Sequence, residues 1–503
     1  MGLIDINSLG AFDRRGIKLK LTKWISATVA SALVAASFSF TTAAHAQETK
    51  SIADETIYDL LVDRYFNATN ENDYNTDPKD ITQFAGGDFR GLIDKFSLIT
   101  DMGYSIASIG SVFKTEKYDG SMATSYSEIE PHFGTAEELT NVINTYRQSN
   151  VKVMIDFPLS NVSANHEWAQ DSSKADWIAG SSEGKVQWDL QNEEVQQALR
   201  EALVKFISAY EFGGVRLTNL GNADTEFVNE LIASIKEVNK DIYVITNEES
   251  DANFDANYYS ETTEAFRNVY KNVDVDSSDL LTNIEPFAKK EQAPTQLMLD
   301  NLLTDRFIYT VEAYPPTRTK LGIVATLLLP GVPVTQYGTE LIMNGQAGPE
   351  AHQLYNFKTD EEMIEFIGDV QTLRSQSATL RKGDYKLLKN ENGFLAFERY
   401  SDDERWIIVI NNTGKTTRFD ISEEEIGSGK ELRAMLDSDT IRVNKNGDYP
   451  IVLDREVVEI YQVTEEKGIN KGYLAALAVV YILFIAFIVA IIKRGKKRKS
   501  KQQ

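Results

Sequence analysis

The sequence predicts an α/β protein: a TIM-type (β/α)8 barrel, then a small antiparallel β-domain, then one C-terminal transmembrane helix. Three observations predict it. From Ile57 to about Pro333, short β-rich runs alternate with segments of helical period, the pattern of a βα-repeat fold. After residue 384 the runs become short, alternating strands broken by Asp, Asn and Gly, as in a small antiparallel domain. Finally, Tyr473 to Ile492 is twenty residues without a charge, long enough to cross ~30 Å of hydrocarbon.

Taken in order, residues 1–46 have the three-part layout of a secretory signal peptide. Arg14, Arg15, Lys18, Lys20 and Lys23 precede an apolar stretch from Trp24 to Phe40, and Ala44-His45-Ala46 offers a small-x-small cleavage site. The mature chain is expected to start near Gln47; an uncleaved N-terminal anchor is the alternative. The barrel is expected over 47–384. Its clearest β-rich runs are Ile57–Val62, Ser105–Gly110, Val151–Asp156, Gly214–Thr218, Ile242–Thr246, Asn268–Val273, Gln296–Asp300 and Val332–Tyr337. Periodicity alone gives an α/β repeat fold; the resemblance described below brings the count to eight. An excursion follows the third run at about 160–190. Its Trp168, Trp177 and Trp188 read as the core of that excursion, with sugar stacking as the alternative. A helical stretch from Glu361 to about Leu380 leads to the C-terminal β-sandwich domain at 385–465. Its runs are Phe394–Arg399, Arg405–Asn411, Thr416–Ile421, Glu431–Met435 and Glu456–Val463. A polar linker at 466–472 precedes the membrane helix at 473–492.

The tail at 493–503 carries seven Lys and Arg residues, and such a cluster stays in the cytoplasm. Both ends therefore predict a single-pass protein of the cell membrane, its body extracellular and its C-terminus cytoplasmic. The absence of cysteine excludes disulfides and thiolate metal sites and suits a Gram-positive exterior. Setting aside the +3 of residues 1–46 and the +7 of the tail, the net charge of −23 becomes −33 on the rest. A body that acidic repels nucleic acid and anionic membrane surfaces.

Several segments, in order and correctly spaced over about residues 55–465, resemble the α-amylase family, glycoside hydrolase family thirteen. Ile57-Tyr58 with Asp63-Arg64-Tyr65 resembles its first strand, and Phe84 to Gly91 the glycine-rich turn that follows. Pro131-His132-Phe133-Gly134-Thr135 resembles the start of the second barrel helix. Leu327–Tyr337 with Gly338-Thr339-Glu340 resembles the eighth strand, and Gln371–Lys386 the passage into the C-terminal domain. The resemblance implies a (β/α)8 barrel acting on α-glucans at its C-terminal strand ends.

The family's chemistry needs a carboxylate nucleophile and a carboxylic acid about 5 Å apart. The motif Gly-x-Arg-x-Asp supplies the nucleophile; here it reads Gly214-Val215-Arg216-Leu217-Thr218, keeping Arg216 as a substrate-binding residue but placing Thr218 at the nucleophile position. The acid belongs after the fifth strand, where Glu248 or its neighbour Asn247 stands. The stabilising aspartate of Asn-His-Asp is replaced by Leu303, and the histidine before it by Leu302. In the motif Asp-x-x-x-Asn-His, Asp156 is kept, while Ser160 and Asn161 fill the last two places; Asp156 and Asn161 are expected to bind substrate. Asp224, Glu249, Asp300 and Asp305 are carboxylates near enough in sequence to have moved in.

The resemblance also implies a Ca²⁺ site, as some bacterial members have, from Asn67, Thr69, Asn72, Asp73, Gly86 and Asp88. Ca²⁺ takes six to eight hard oxygen ligands, which this set offers. These readings lead to three functions. The first is a membrane-tethered pseudoenzyme that binds α-glucan or maltooligosaccharide, or serves a membrane-protein partner. The others are an active α-amylase or α-glucosidase with rearranged groups, and a structural surface protein.

Overall fold

The computed structural model describes residues 51–358, 361–466 and 471–499. The signal peptide expected at 1–46, most of the linker at 466–472 and the end of the basic tail lie outside the described residues.

The barrel is built of parallel staves. The first (Ile57–Asp59) pairs with the second (Ile106–Ser108), and that with the third (Lys152–Pro158). The third pairs with the fourth (Gly214–Thr218), and the fourth with the fifth (Tyr243–Thr246). On the other side the first stave pairs with the eighth (Val332–Gln336), which pairs with the seventh (Gln296–Leu297). The gap between fifth and seventh is spanned by two residues. Ala256 bridges to Ile245 and Asn257 to Thr295, both parallel. This pair is the sixth stave, and it completes the ring.

The sixth strand expected at Asn268–Val273 is corrected: Ser260–Lys271 is a helix. Thr262, Thr263, Ala265, Phe266, Val269 and Tyr270 are buried on it at the three-and-four spacing of one helical face. Val269 and Tyr270 therefore pack as helix residues, outside the ring. No helix separates the fifth stave from the sixth; residues 247–255 run as a loop.

Side chains alternate between the lumen and the helix layer, as pleating requires. Ile57, Ile106, Met154, Tyr243, Ile245, Met298, Val332 and Val334 form the inner core. Tyr58, Val153, Ile155, Val215 and Leu217 pack behind the sheet against the helices. Gly214 belongs to the inner set for a steric reason: a Cβ there would lie 2.5 Å from Met154 Cε and 3.2 Å from its Cβ. The helix Ala136–Gln148 starts as the sequence suggests, with Thr135 and Glu138 exchanging side-chain bonds in a capping box.

The excursion after the third stave is a three-stranded sheet (Val162–Ser163, Ile178–Ser182, Lys185–Trp188). Its tryptophans are its core. Trp168 lies 5.4 Å from Trp177 and 5.8 Å from Trp188, ring centre to ring centre, and the latter two are buried.

The C-terminal domain has a six-stranded antiparallel sheet and a two-stranded one (Thr417–Ser422 with Asp448–Leu453). They enclose Phe394, Ile407, Val409, Ile421, Tyr449 and Ile451. Strands Asp384–Glu391, Thr440–Arg442 and Asp448–Leu453 add to those expected. Buried arginines seat the domain on the barrel: Arg318 pairs with Glu456 at 2.7 Å, and Arg399 donates to the Leu328 carbonyl at 2.8 Å. The last described element is the helix Lys471–Lys499, whose segment Leu474–Lys493 has a mean hydropathy of 3.1 and is long and apolar enough to cross a membrane.

Candidate functional site

Alternation decides which side chains reach the C-terminal mouth of the barrel. Asp59 lies two residues beyond the inward Ile57, Asp156 two beyond Met154, and Arg216 two beyond Gly214. Asp156 and Arg216 are also register partners. These three therefore meet in one layer above the apolar core. Arg216 donates to Asp59 through Nη1 and Nη2 at 2.8 and 3.0 Å, and to Asp156 through Nε and Nη2, both at 2.8 Å. Burial alone lowers the guanidinium, but the two carboxylates outweigh it and hold Arg216 above its usual range. Burial pushes Asp156 up, while Arg216 opposes that rise. Four charge-assisted bonds in two bidentate forks favour the ionised triad.

Above the triad the staves open into a cavity of about 320 Å³. Thr218 lines it, in register with Pro158. Asn247 and Glu248 both line it, so both candidates for the acid position reach the site. The Glu248 carboxylate accepts the Leu220 N–H at 3.1 and 3.2 Å; the Asn247 Oδ1 is buried with no partner. Leu302 and Leu303 complete the wall, with Leu303 66% exposed at the rim. Asn161, expected to bind substrate, is not among the residues that line this cavity. The chain turns there at φ 55° into the excursion strand Val162–Ser163 and leaves the mouth.

None of the four neighbouring carboxylates has moved into the cavity; each is engaged elsewhere. Asp224 caps the helix Thr225–Val238 through the Phe227 N–H. Asp300 accepts the Phe307 N–H at 2.6 Å and pairs with Arg306 at 3.5 Å. Asp305 accepts from Ala347 N, and Glu249 from Ser260.

Residues that sequence reasoning missed also line the cavity: Asp59, Asp119, Lys185 and His352. Asp59 was signalled by alternation from Ile57. His352 had no such signal, since it comes from the loop after the eighth stave. Its Nε2 lies 2.8 Å from the Leu302 carbonyl, an acceptor, so Nε2 donates and Nδ1 accepts from the Tyr118 hydroxyl at 3.0 Å. Burial lowers its pKa, so the ring is a neutral wall element.

The six residues expected to hold Ca²⁺ gather around one loop cluster. Asn67 Nδ2 donates to both Asp73 oxygens at 3.0 and 3.1 Å, and Gly86 lies against both side chains, with φ 96° and no room for a Cβ. Asp88 Oδ2 accepts from Ala68 N and Thr69 N at 3.0 Å. Asn72, Thr69 and Asp88 line one cleft; Asn72 donates to the His132 carbonyl, and its Oδ1 is buried without a partner. That orphaned oxygen, with the Asp73 and Asp88 carboxylates, fits a hard cation. The described residues hold no group of three or more His, Cys, Asp or Glu placed to bind a metal.

Comparison with known proteins agrees with this architecture. The family described as "Alpha amylase, catalytic domain" matches residues 59–198, and "Alpha-amylase C-terminal domain" matches 383–461. A beta/alpha-amylase of Paenibacillus polymyxa is 22% identical over 458 residues, 81% of this chain and 38% of that protein. A cyclomaltodextrinase of Geobacillus thermopakistaniensis is 24% identical over 381 residues, covering 67% and 64% of the two chains. The chain thus spans less than two thirds of either relative. Among solved structures, an Anoxybacillus α-amylase matches with a TM-score of 0.79 and 29% identity over 84% of this chain and 100% of that one. An α-amylase from Geobacillus thermoleovorans, complexed with acarbose, gives 0.78 and 28% over 83% and 100%. Over these two segments, in its barrel and its C-terminal domain, the chain is similar to the α-amylase family.

Proposed function

We propose that this is a membrane-tethered, α-glucan-binding protein of carbohydrate metabolism that has lost hydrolysis, a pseudoenzyme of its family. One observation carries the reading. The cavity stands where family chemistry occurs, yet Thr218 occupies the nucleophile position, Leu303 the stabiliser position, and Arg216 is consumed by Asp59 and Asp156. A hydroxyl without an adjacent base does not form the glycosyl-enzyme intermediate that a carboxylate forms. The apolar helix Lys471–Lys499, with cations following its apolar segment, supports a body outside the cell and a tail inside. The relatives named cyclomaltodextrinase and α-amylase support glucan as the ligand class.

The test uses the full chain in detergent, with starch and a chromogenic maltooligosaccharide as substrates and maltotriose in a binding titration. The expected result is saturable binding without turnover. Asp119 and Glu248, two lining carboxylates with no ion-pair partner among the described residues, favour a second reading as an active glycosidase. Turnover that disappears in Glu248→Gln would establish it and remove the first.

The same proposal includes Ca²⁺ at Asn67, Thr69, Asn72, Asp73, Gly86 and Asp88, where the ion would tie the loop after the first stave to the start of the next helix. Adding Ca²⁺ at about a hundred times its Kd is expected to stabilise the fold by about 2.7 kcal/mol in thermal unfolding. Asp73→Ala should remove that gain. No gain in the unaltered chain rules the site out.

A further inference from the structure

We infer that, among sugars, the cavity selects a cationic one, a pyranose carrying a protonated amine, over its neutral counterpart. The inference rests on the sugar-binding reading above and concerns the charge of the ligand. Four carboxylates line the cavity, Asp59, Asp119, Asp156 and Glu248, against the cations Arg216 and Lys185. Arg216 takes up Asp59 and Asp156 and leaves that triad at −1. Asp119 accepts only the Ser121 N–H and Glu248 only the Leu220 N–H; among the described residues neither forms an ion pair, and neither does Lys185. With His352 neutral, the cavity carries a net −2, inside a body of −33.

A second, independent feature points the same way. Ser111 lines the cavity, is nine-tenths buried, and its Oγ has no partner; Asn247 Oδ1, also lining it, is likewise unpaired. Buried polar atoms are rarely left unpaired, and an amide oxygen accepts only. An ammonium offers three donors, which suit the carboxylates that form no ion pair among the described residues. Leu61, Met298, Val334 and Tyr258 also line the cavity and offer apolar surface to a sugar ring. A volume of about 320 Å³ is at the low end for ligand pockets and suits a small saccharide. Clefts lined by one sign of charge concentrate oppositely charged ligands.

The test is calorimetric titration of the full chain in detergent with glucosamine, glucose, maltotriose and butylamine. Glucosamine is expected to bind about tenfold tighter than glucose. The margin should shrink in Asp119→Asn and Glu248→Gln, each first shown to melt like the unaltered chain. Equal binding of glucosamine and glucose overturns the inference and leaves the sugar-binding reading standing. Butylamine binding as well as glucosamine also overturns it, because the ring would contribute nothing. Failure of every sugar to bind overturns both. Should the variants not fold, added salt decides on the unaltered chain: a margin that falls supports the inference, and one that persists overturns it.

Discussion

Arg216→Ala is expected to destabilise the barrel by about 3–5 kcal/mol, the cost of removing one partner from a buried ion pair. The arginine is 4% exposed and makes four bonds to two carboxylates that pair with no other cation among the described residues. Its removal leaves Asp59 and Asp156 side by side over an apolar layer. The melting temperature should fall by about 6–10 °C at roughly 2 °C per kcal/mol for a domain of this size. The pH dependence follows from burial, which already pushes Asp156 upward. Without the guanidinium, that burial acts unopposed on Asp156, whose folded pKa then lies above its unfolded one. The folded state then binds a proton there more readily than the unfolded state, so acidification stabilises the variant relative to neutrality. The deficit is fullest above the raised pKa and shrinks as pH falls through it. Arg216→Lys should recover part of the loss, since an ammonium keeps the charge but cannot make two planar forks. A variant as stable as the unaltered chain, at every pH, would show that the triad contributes nothing.

How much of this was legible beforehand depends on how local each feature is. The fourth stave could be read because Gly214 to Thr218 carries its own period and motif. The sixth could not, because two residues, Ala256 and Asn257, have no period at all; the nearby Asn268–Val273 offered β-branched and aromatic residues instead. The helical spacing of Phe266, Val269 and Tyr270 was the stronger signal there. At the site, Thr218, Leu302 and Leu303 were legible from motif position alone. The partnership of Asp59 with Arg216 was not, since it joins residues 157 apart across the lumen. His352 reaches the wall only because the loop after the eighth stave folds back onto Leu302. Trp168, Trp177 and Trp188 were read correctly as excursion core because they cluster within one short segment.

On the pseudoenzyme reading proposed above, aspartates placed at 218 and 303 should return hydrolysis. Thr218 is on the inner face one step beyond Arg216, and Glu248 lines the same cavity, so an aspartate at 218 enters the space a nucleophile needs. Leu303 is exposed at the rim, and an aspartate there costs little stability. The obstacle is Arg216: a third carboxylate at 218 competes with Asp59 and Asp156 for one guanidinium, and the added like charge raises the carboxyl pKa values. Thr218→Asp with Leu303→Asp is therefore expected to gain little until Asp59→Asn removes the charge and one of the two acceptor oxygens that hold Arg216 from that side. In the triple variant, turnover of a chromogenic maltooligosaccharide should rise at least about 10²-fold above the unaltered chain. That is a partial recovery of the roughly 10⁴–10⁶ that loss of a covalent nucleophile costs. Adding Glu248→Gln on that background should abolish the gain, which would assign Glu248 the acid role. A triple variant that binds maltotriose and melts normally, yet stays inert, would mean that these substitutions do not account for the loss. The cause would then lie in the backbone of the loops around the sixth and seventh staves, where the barrel has its shortest strands.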